Sequence, residues 1–166
     1  MTGERKSLRK AYGEALVELG KINSKIIALE ADLGKSTMSN MFQQAFPDRY
    51  FEMGIAEQDM ISTAGGLAAS GFIPFASTFA VFATGRAYDQ IRQTIAIGKL
   101  NVKICGSSSG LSDIGDGATH QAIEDIALMN ALPNMTILTP ADANETKAAV
   151  YAADRAGEGD HDPSGN

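Results

Sequence analysis

The chain has 166 residues, 44% of them apolar and 20% charged, which suits one globular domain and excludes wholesale disorder. Its 14 basic and 20 acidic residues give a net charge of −6, so no basic footprint for nucleic acid or an anionic membrane is present. A single cysteine, Cys105, excludes an intrachain disulfide framework and a Cys-cluster zinc site. The charged N-terminal stretch, Met1 to Lys10, has no apolar signal region, and a reducing cytoplasm is the expected compartment.

Residues 7–20 carry Leu8, Ala11, Tyr12, Ala15, Leu16 and Leu19 at helical spacing, with Gly20 as a stop. Residues 25–30 (KIIALE) form a short apolar run that predicts a buried strand, ending in a loop at Asp32 and Gly34. A short helix is expected over 37–45 and a strand over 49–53. A helix rich in small residues follows over 56–70, then a strand over 72–77 and a long helix over 79–97. The spacing further predicts a strand over 102–105, a Ser/Gly/Asp loop over 106–117, a helix over 121–131 and a strand over 135–138. The last predicted helix runs over 142–156, with Asp142 as N-cap. The tail 157–166 (GEGDHDPSGN) has no apolar residue except its proline and reads as a disordered end.

From Met60 to Gly85 no residue is charged, a run of 26 that is long enough to span a bilayer. Eleven of those positions are Gly, Ser, Thr or Pro, and Pro74 would free backbone groups that lipid cannot satisfy. The run is therefore expected to be a buried helix, a turn and a buried strand, with no membrane span. Alternating strands and helices, with strands apolar on both faces, predict an α/β fold: a doubly wound, mainly parallel sheet covered by helices on both faces. Ligands collect at the carboxyl ends of such strands, where the segments around Asp32, Glu57, Phe79 and Ser107 to His120 fall.

Four features there could carry chemistry. Glu57 follows a strand and Gly54, and opens an apolar helix. It is either a first-turn acid favoured by the helix dipole or a carboxyl in an apolar pocket that holds a proton. Phe79 and Phe82 are either core aromatics three residues apart or a stacking wall for a flat heterocycle. His120 follows the glycine-rich loop, near Asp113 and Asp116, and is either structural or functional. Gly115-Asp116-Gly117 with Asn144 resembles a GDG-to-Asn signature for Mg²⁺ and diphosphate. That signature requires the Asn to end a strand, whereas Asn144 falls at a helix start.

At these residues the chain resembles the pyrimidine-binding domain of the transketolase family, which shares the thiamine-diphosphate-binding fold. The segments that carry the resemblance are EADLGKS (30–36), FEMGIAEQDM (51–60), TAGGLAASG (63–71), PFASTFAVFATGRAYDQIR (74–92), DGATHQAIEDIALMNALPN (116–134) and PADANE (140–145). They stand in the family's order over about residues 5–155, giving a domain over 5–156. The order also makes Gly115 to Asn144 a decoy: in this family that loop belongs to the pyrimidine domain, and no metal ligand is assigned here.

The resemblance implies thiamine diphosphate as cofactor. Glu57 would hydrogen-bond N1′ of its aminopyrimidine and favour the imino tautomer, which can remove the thiazolium C2 proton. Phe79 and Phe82 would pack on the pyrimidine beside Ile55. Asp116 and His120 would contact the donor sugar's hydroxyls, His120 taking part in catalysis. Asp32 and Ser36 would belong to the active-site loop, the serine helping to bind sugar phosphate. Gln58, Ser108 and Gly85 depart from the usual transketolase pattern, where a His, a phosphate-binding His and a third pyrimidine-packing aromatic are common.

The family's diphosphate-binding domain, which holds Mg²⁺, and its C-terminal domain have no counterpart in the sequence. The expectation is thus half of a split transketolase, inactive alone. It would pair with a diphosphate-binding subunit and act on sugar phosphates; the chain is expected to associate as a homodimer or in a heterotetramer, with the apolar stretch from Ile61 to Phe82 contributing to the partner surface. The alternatives are a beta-type subunit of a 2-oxo acid dehydrogenase, a deoxyxylulose-phosphate synthase fragment, or a non-catalytic binding module of the same fold.

Overall fold

A computed structural model describes residues 6–156. The predicted disordered end at 157–166 lies outside the described residues. Strand β1 (Ile26–Glu30) is buried along its whole length, and so is β3 (Ile73–Phe79). That is how strands read when both faces of a parallel sheet are covered. With β2 (Tyr50–Glu52) and β4 (Lys103–Ser107) they form one parallel sheet in the order β2-β1-β3-β4. The chain winds from β1 to one side and then to the other, so the switch point lies between β1 and β3. At their carboxyl ends stand Glu30, Glu52, Phe79 and Ser107.

Alternate residues of β1 feed two cores. Ile26 and Ala28 pack with Tyr12, Leu16 and Leu19 of α1 (Leu8–Ile22), Phe42 of α3 (Asn40–Ala45) and Val150 of α7 (Ala143–Arg155). Ile27 and Leu29 pack with Met60, Ile61 and Ala64 of α4 (Glu57–Ala69) and with Ile91 and Ile95. Each fully buried Leu or Ile contributes roughly 1.5–3 kcal/mol relative to exposure. The expected cap at Asp142 forms, its side chain accepting from Asn144 and Glu145 N–H, and Ser7 caps α1 by accepting from Lys10 N–H.

Several expectations need correction. Gly20 does not stop α1, which runs to Ile22. It is buried, and a Cβ there would lie 2.5 Å from the Phe42 ring, so the glycine serves close packing. The helix expected over 37–45 is split into α2 (Gly34–Thr37) and α3 by Met38, which is left-handed at φ 66°. Phe79 ends β3 rather than opening a helix, because the ladder with β4 continues to the Phe79–Ser107 pair. The helix beyond it is wound largely as π-helix, over Phe82–Arg86 and Ile91–Ala96, on either side of the short α5 (Tyr88–Gln90).

The helix predicted over 121–131 is only α6 (Asp125–Asn130), because Ala122 exchanges backbone hydrogen bonds with Gly110 instead. Residues 135–138 form no strand. A cleft of about 1150 Å³, lined by Ile104, Met135 and Ile137 among others, opens between them and β4, and Asn134 ties the segment to the Ala96 carbonyl. The uncharged run folds as α4, β3 and the first π-helical turn. Among the described residues no helix is long and apolar enough to cross a membrane. In the stretch from Ile61 to Phe82, Ile61, Ala64, Phe75, Ala76 and Phe79 are buried in the core, whereas Phe72 is exposed. The large apolar side chains left exposed include Ile55, Leu111, Ile114, Ile123 and Ile126.

Candidate active site

Gly54, left-handed at φ 68°, turns the chain out of β2 and into α4, whose first residue is Glu57. The side chain of Glu57 is only 2% exposed. One oxygen, Oε1, accepts from Arg86 Nη1 at 2.8 Å. The other, Oε2, is buried and has no hydrogen-bond partner within the chain. A first-turn acid that merely served the helix dipole would reach water, and a buried unsatisfied carboxylate oxygen is costly. The arrangement therefore leaves one acceptor for a group from outside the chain.

An aromatic pair is linked to this carboxylate through Arg86. Phe79 and Phe82 stack with centroids 6.2 Å apart and planes within 13°. His120 meets both rings edge-on, at 5.1 Å from Phe82 and 6.2 Å from Phe79. Arg86 closes the group, with its guanidinium carbon 4.5 Å above the Phe82 ring. Thr119 Oγ1 and His120 Nδ1 are 2.9 Å apart, which fixes the imidazole orientation.

Sequence reasoning missed Arg86. It was visible as the first charge after the 26-residue uncharged run and as the neighbour of Gly85, where the third aromatic is missing.

Other named residues lie around this cluster without joining it. Asp32 is exposed and left-handed at φ 59°, with its N–H donated to Glu52 Oε1 at 2.8 Å. The Ser36 carbonyl accepts from Arg9 Nη1 at 2.9 Å. Asp116 is exposed in the loop, with its N–H turned to Asp113 Oδ1. Ser36, Phe79 and Asp116 all line the 1150 Å³ cleft, whose lining stops short of Glu57, Phe82 and His120. Ile55, 76% exposed, projects from the turn before Glu57. Asn144 sits in the first turn of α7, not at a strand end. Among the described residues no group of three His, Cys, Asp or Glu could hold a metal.

A second buried acid lies under the loop that carries Asp32 and Ser36. Glu30 Oε2 accepts from Thr37 Oγ1 at 2.6 Å and Ser39 Oγ at 2.5 Å, and Oε1 accepts from Ala31 N–H at 3.1 Å. Burial raises its carboxyl from 4.5 to about 7, against the lowering effect of these donors. Burial likewise pushes the Cys105 thiol up to about 12, so it is no reactive thiolate.

A family model for the transketolase pyrimidine-binding domain matches residues 4–164. The chain belongs to the transketolase family. It is 49% identical over 150 residues to a protein of Methanocaldococcus jannaschii named as a transketolase C-terminal section, covering 90% of this chain and 48% of the other. Human transketolase is 45% identical over 152 residues, of which this chain spans 24%. Among solved structures, a split gene transketolase described as an inactive beta4 tetramer superposes with a TM-score of 0.79 at 56% identity, over 90% of this chain and 48% of that one. Campylobacter jejuni transketolase superposes with a TM-score of 0.84 at 29% identity, over 93% and 25%. The transketolase pyrimidine domain thus spans at most about half the length of the relatives it matches.

Proposed function

We propose that this chain is the pyrimidine-binding half of a two-chain transketolase. A diphosphate- and Mg²⁺-binding subunit would complete the site and permit transfer of a two-carbon ketol unit between sugar phosphates. The observation that carries the reading is the buried, unpartnered Oε2 of Glu57, whose other oxygen is held by the same Arg86 that lies over Phe82 of the stacked pair. An aminopyrimidine suits this donor set, since it has a flat face for Phe79 and Phe82 and a ring nitrogen for a carboxyl.

Bound thiamine diphosphate supplies an electron sink for the pair released when a ketose carbon–carbon bond breaks. The chain's own residues supply the rest. Arg86 fixes Oε1 of Glu57 and leaves Oε2 free to share one proton with N1′ in a hydrogen bond, donating it as the carboxylic acid or accepting it once N1′ is protonated. Phe79 and Phe82, held by β3 and the first π-helical turn, exclude water from that bond and strengthen it. His120, oriented by Thr119 and the two rings, would offer its other ring nitrogen to the donor sugar's hydroxyls. Asp116, Asp32 and Ser36 line the approach for the rest of the sugar phosphate, and Ile55 offers an apolar edge to the cofactor.

We assign Mg²⁺ and the diphosphate to the diphosphate-binding subunit, so the active assembly is a heterotetramer and a homodimer of this chain alone lacks both. The relative described as an inactive beta4 tetramer fits a chain that is inactive alone. A reducing cytoplasm suits the free Cys105.

Mixing the chain with a diphosphate-domain subunit, thiamine diphosphate and Mg²⁺ tests this. Ketol transfer from xylulose 5-phosphate is expected from the pair and not from either chain alone. Oxidative decarboxylation of a 2-oxo acid, or no turnover in any pairing, would contradict it.

A further inference from the structure

Two loops leave the carboxyl end of the sheet side by side. One follows β1 and carries Asp32 and Ser36; the other follows β2 and leads through Gly54 to Glu57. Their backbones stay in register past the ladder, because Met53 N–H donates to the Glu30 carbonyl at 2.8 Å. Beyond that bond a single side-chain atom joins them. Glu52 Oε1 accepts from Asp32 N–H at 2.8 Å and from Gly54 N–H at 3.1 Å. Both donors belong to residues in the left-handed region, Asp32 at φ 59° and Gly54 at φ 68°. For Asp32 this conformation is costly without a compensating bond.

We propose that Glu52 is a positioning residue, which holds the Asp32 loop against the turn that launches Glu57. Its carboxylate does not enter the Phe79–Phe82–His120 cluster and touches no reacting atom. It sets where the sugar-facing loop stands relative to the cofactor-facing carboxyl. Glu30 completes the support from below, fastening the start of the same loop at Ala31 and its end at Thr37 and Ser39. This role rests on the proposed function, since it assumes that the Asp32 loop meets the sugar phosphate.

Glu52 is exposed, so its variants should fold. In the chain alone, E52A should speed amide hydrogen exchange at Asp32 and Gly54 by roughly tenfold, as expected for loss of charge-assisted bonds, and leave β1 and β3 protected. E52Q keeps an acceptor oxygen and should restore most of that protection.

In the paired enzyme, E52A should raise KM for the ketose phosphate by roughly tenfold, with kcat and deuterium exchange at thiazolium C2 retained, and E52Q should recover KM. An unchanged KM in E52A would overturn the proposal, and so would a fall in C2 exchange, which would show that Glu52 acts on the Glu57 turn through Gly54 rather than on the sugar-facing loop. Absence of ketol transfer by the wild-type pair would instead refute the functional reading, a result separable from any behaviour of the variant.

Discussion

Glu30 and Glu57 occupy matching places, one ending a strand and one opening the helix after the next strand, and both are buried. Their surroundings differ. Glu30 receives three hydrogen bonds from Ala31, Thr37 and Ser39, and both of its oxygens are used within the chain. Glu57 has one partner, Arg86, which also lies over the Phe82 ring, and keeps Oε2 unpaired. A buried acid whose bonding is complete shapes the backbone around it. A buried acid left incomplete implies something that arrives later. Burial therefore does not separate the two carboxyls; their hydrogen-bond count does.

The largest effect should come from exchanging each acid for its amide in the paired enzyme. Glu57→Gln should lower ketol transfer by about 10²–10⁴-fold, the usual contribution of a positioned acid–base group. Glu30→Gln should retain turnover at saturating sugar. Equal losses from the two variants in steady-state assays would erase the contrast.

The next effect is on stability. The Glu30 carboxyl is raised in the folded chain from 4.5 to about 7, so its protonated form is favoured by folding. Its contribution is full below about pH 4.5 and is lost as pH rises through about 7. The difference is worth about 3 kcal/mol at most. Urea unfolding of Glu30→Gln against the parent should show the variant gaining relative stability between pH 5 and pH 8, by about that amount. A pH-independent difference would contradict the assignment.

A smaller effect tests the other acid. Arg86→Met should destabilise the chain by about 1–3 kcal/mol, because it strands a buried carboxylate. Adding Glu57→Gln should recover much of that loss, a coupling readable in a double-mutant cycle. Smallest of all, Phe82→Ala should weaken thiamine diphosphate binding in the pair by roughly tenfold or less, measured by titration calorimetry, since the ring is one half of a stacked wall.

Much of this was legible in the sequence. Apolar runs at 26–30 and 73–77, separated by helical periodicity, dictate the parallel sheet, and the strand–glycine–acid order at 50–57 places Glu57 at a strand end. What escaped depends on tertiary choices. Periodicity cannot distinguish an α-helix from the π-helical winding of Phe82–Arg86, which brings Arg86 back over Phe82 and onto Glu57. The apolar run at 135–138 has strand composition, yet a strand exists only where a neighbour accepts its ladder, and Asn134 is tied to the Ala96 carbonyl instead. The small residues of α4 allow close approach, and a Cβ at Gly65 would lie 2.4 Å from Thr94, so the uncharged run closes into core.

The central claim is that Glu57 activates the cofactor that a second subunit helps to hold. Deuterium exchange at the thiazolium C2, followed by NMR after rapid quench of the paired enzyme, addresses it without requiring any sugar. The account predicts fast exchange with the parent chain and exchange near the rate of free cofactor with Glu57→Gln. Exchange at the parental rate in that variant would contradict it.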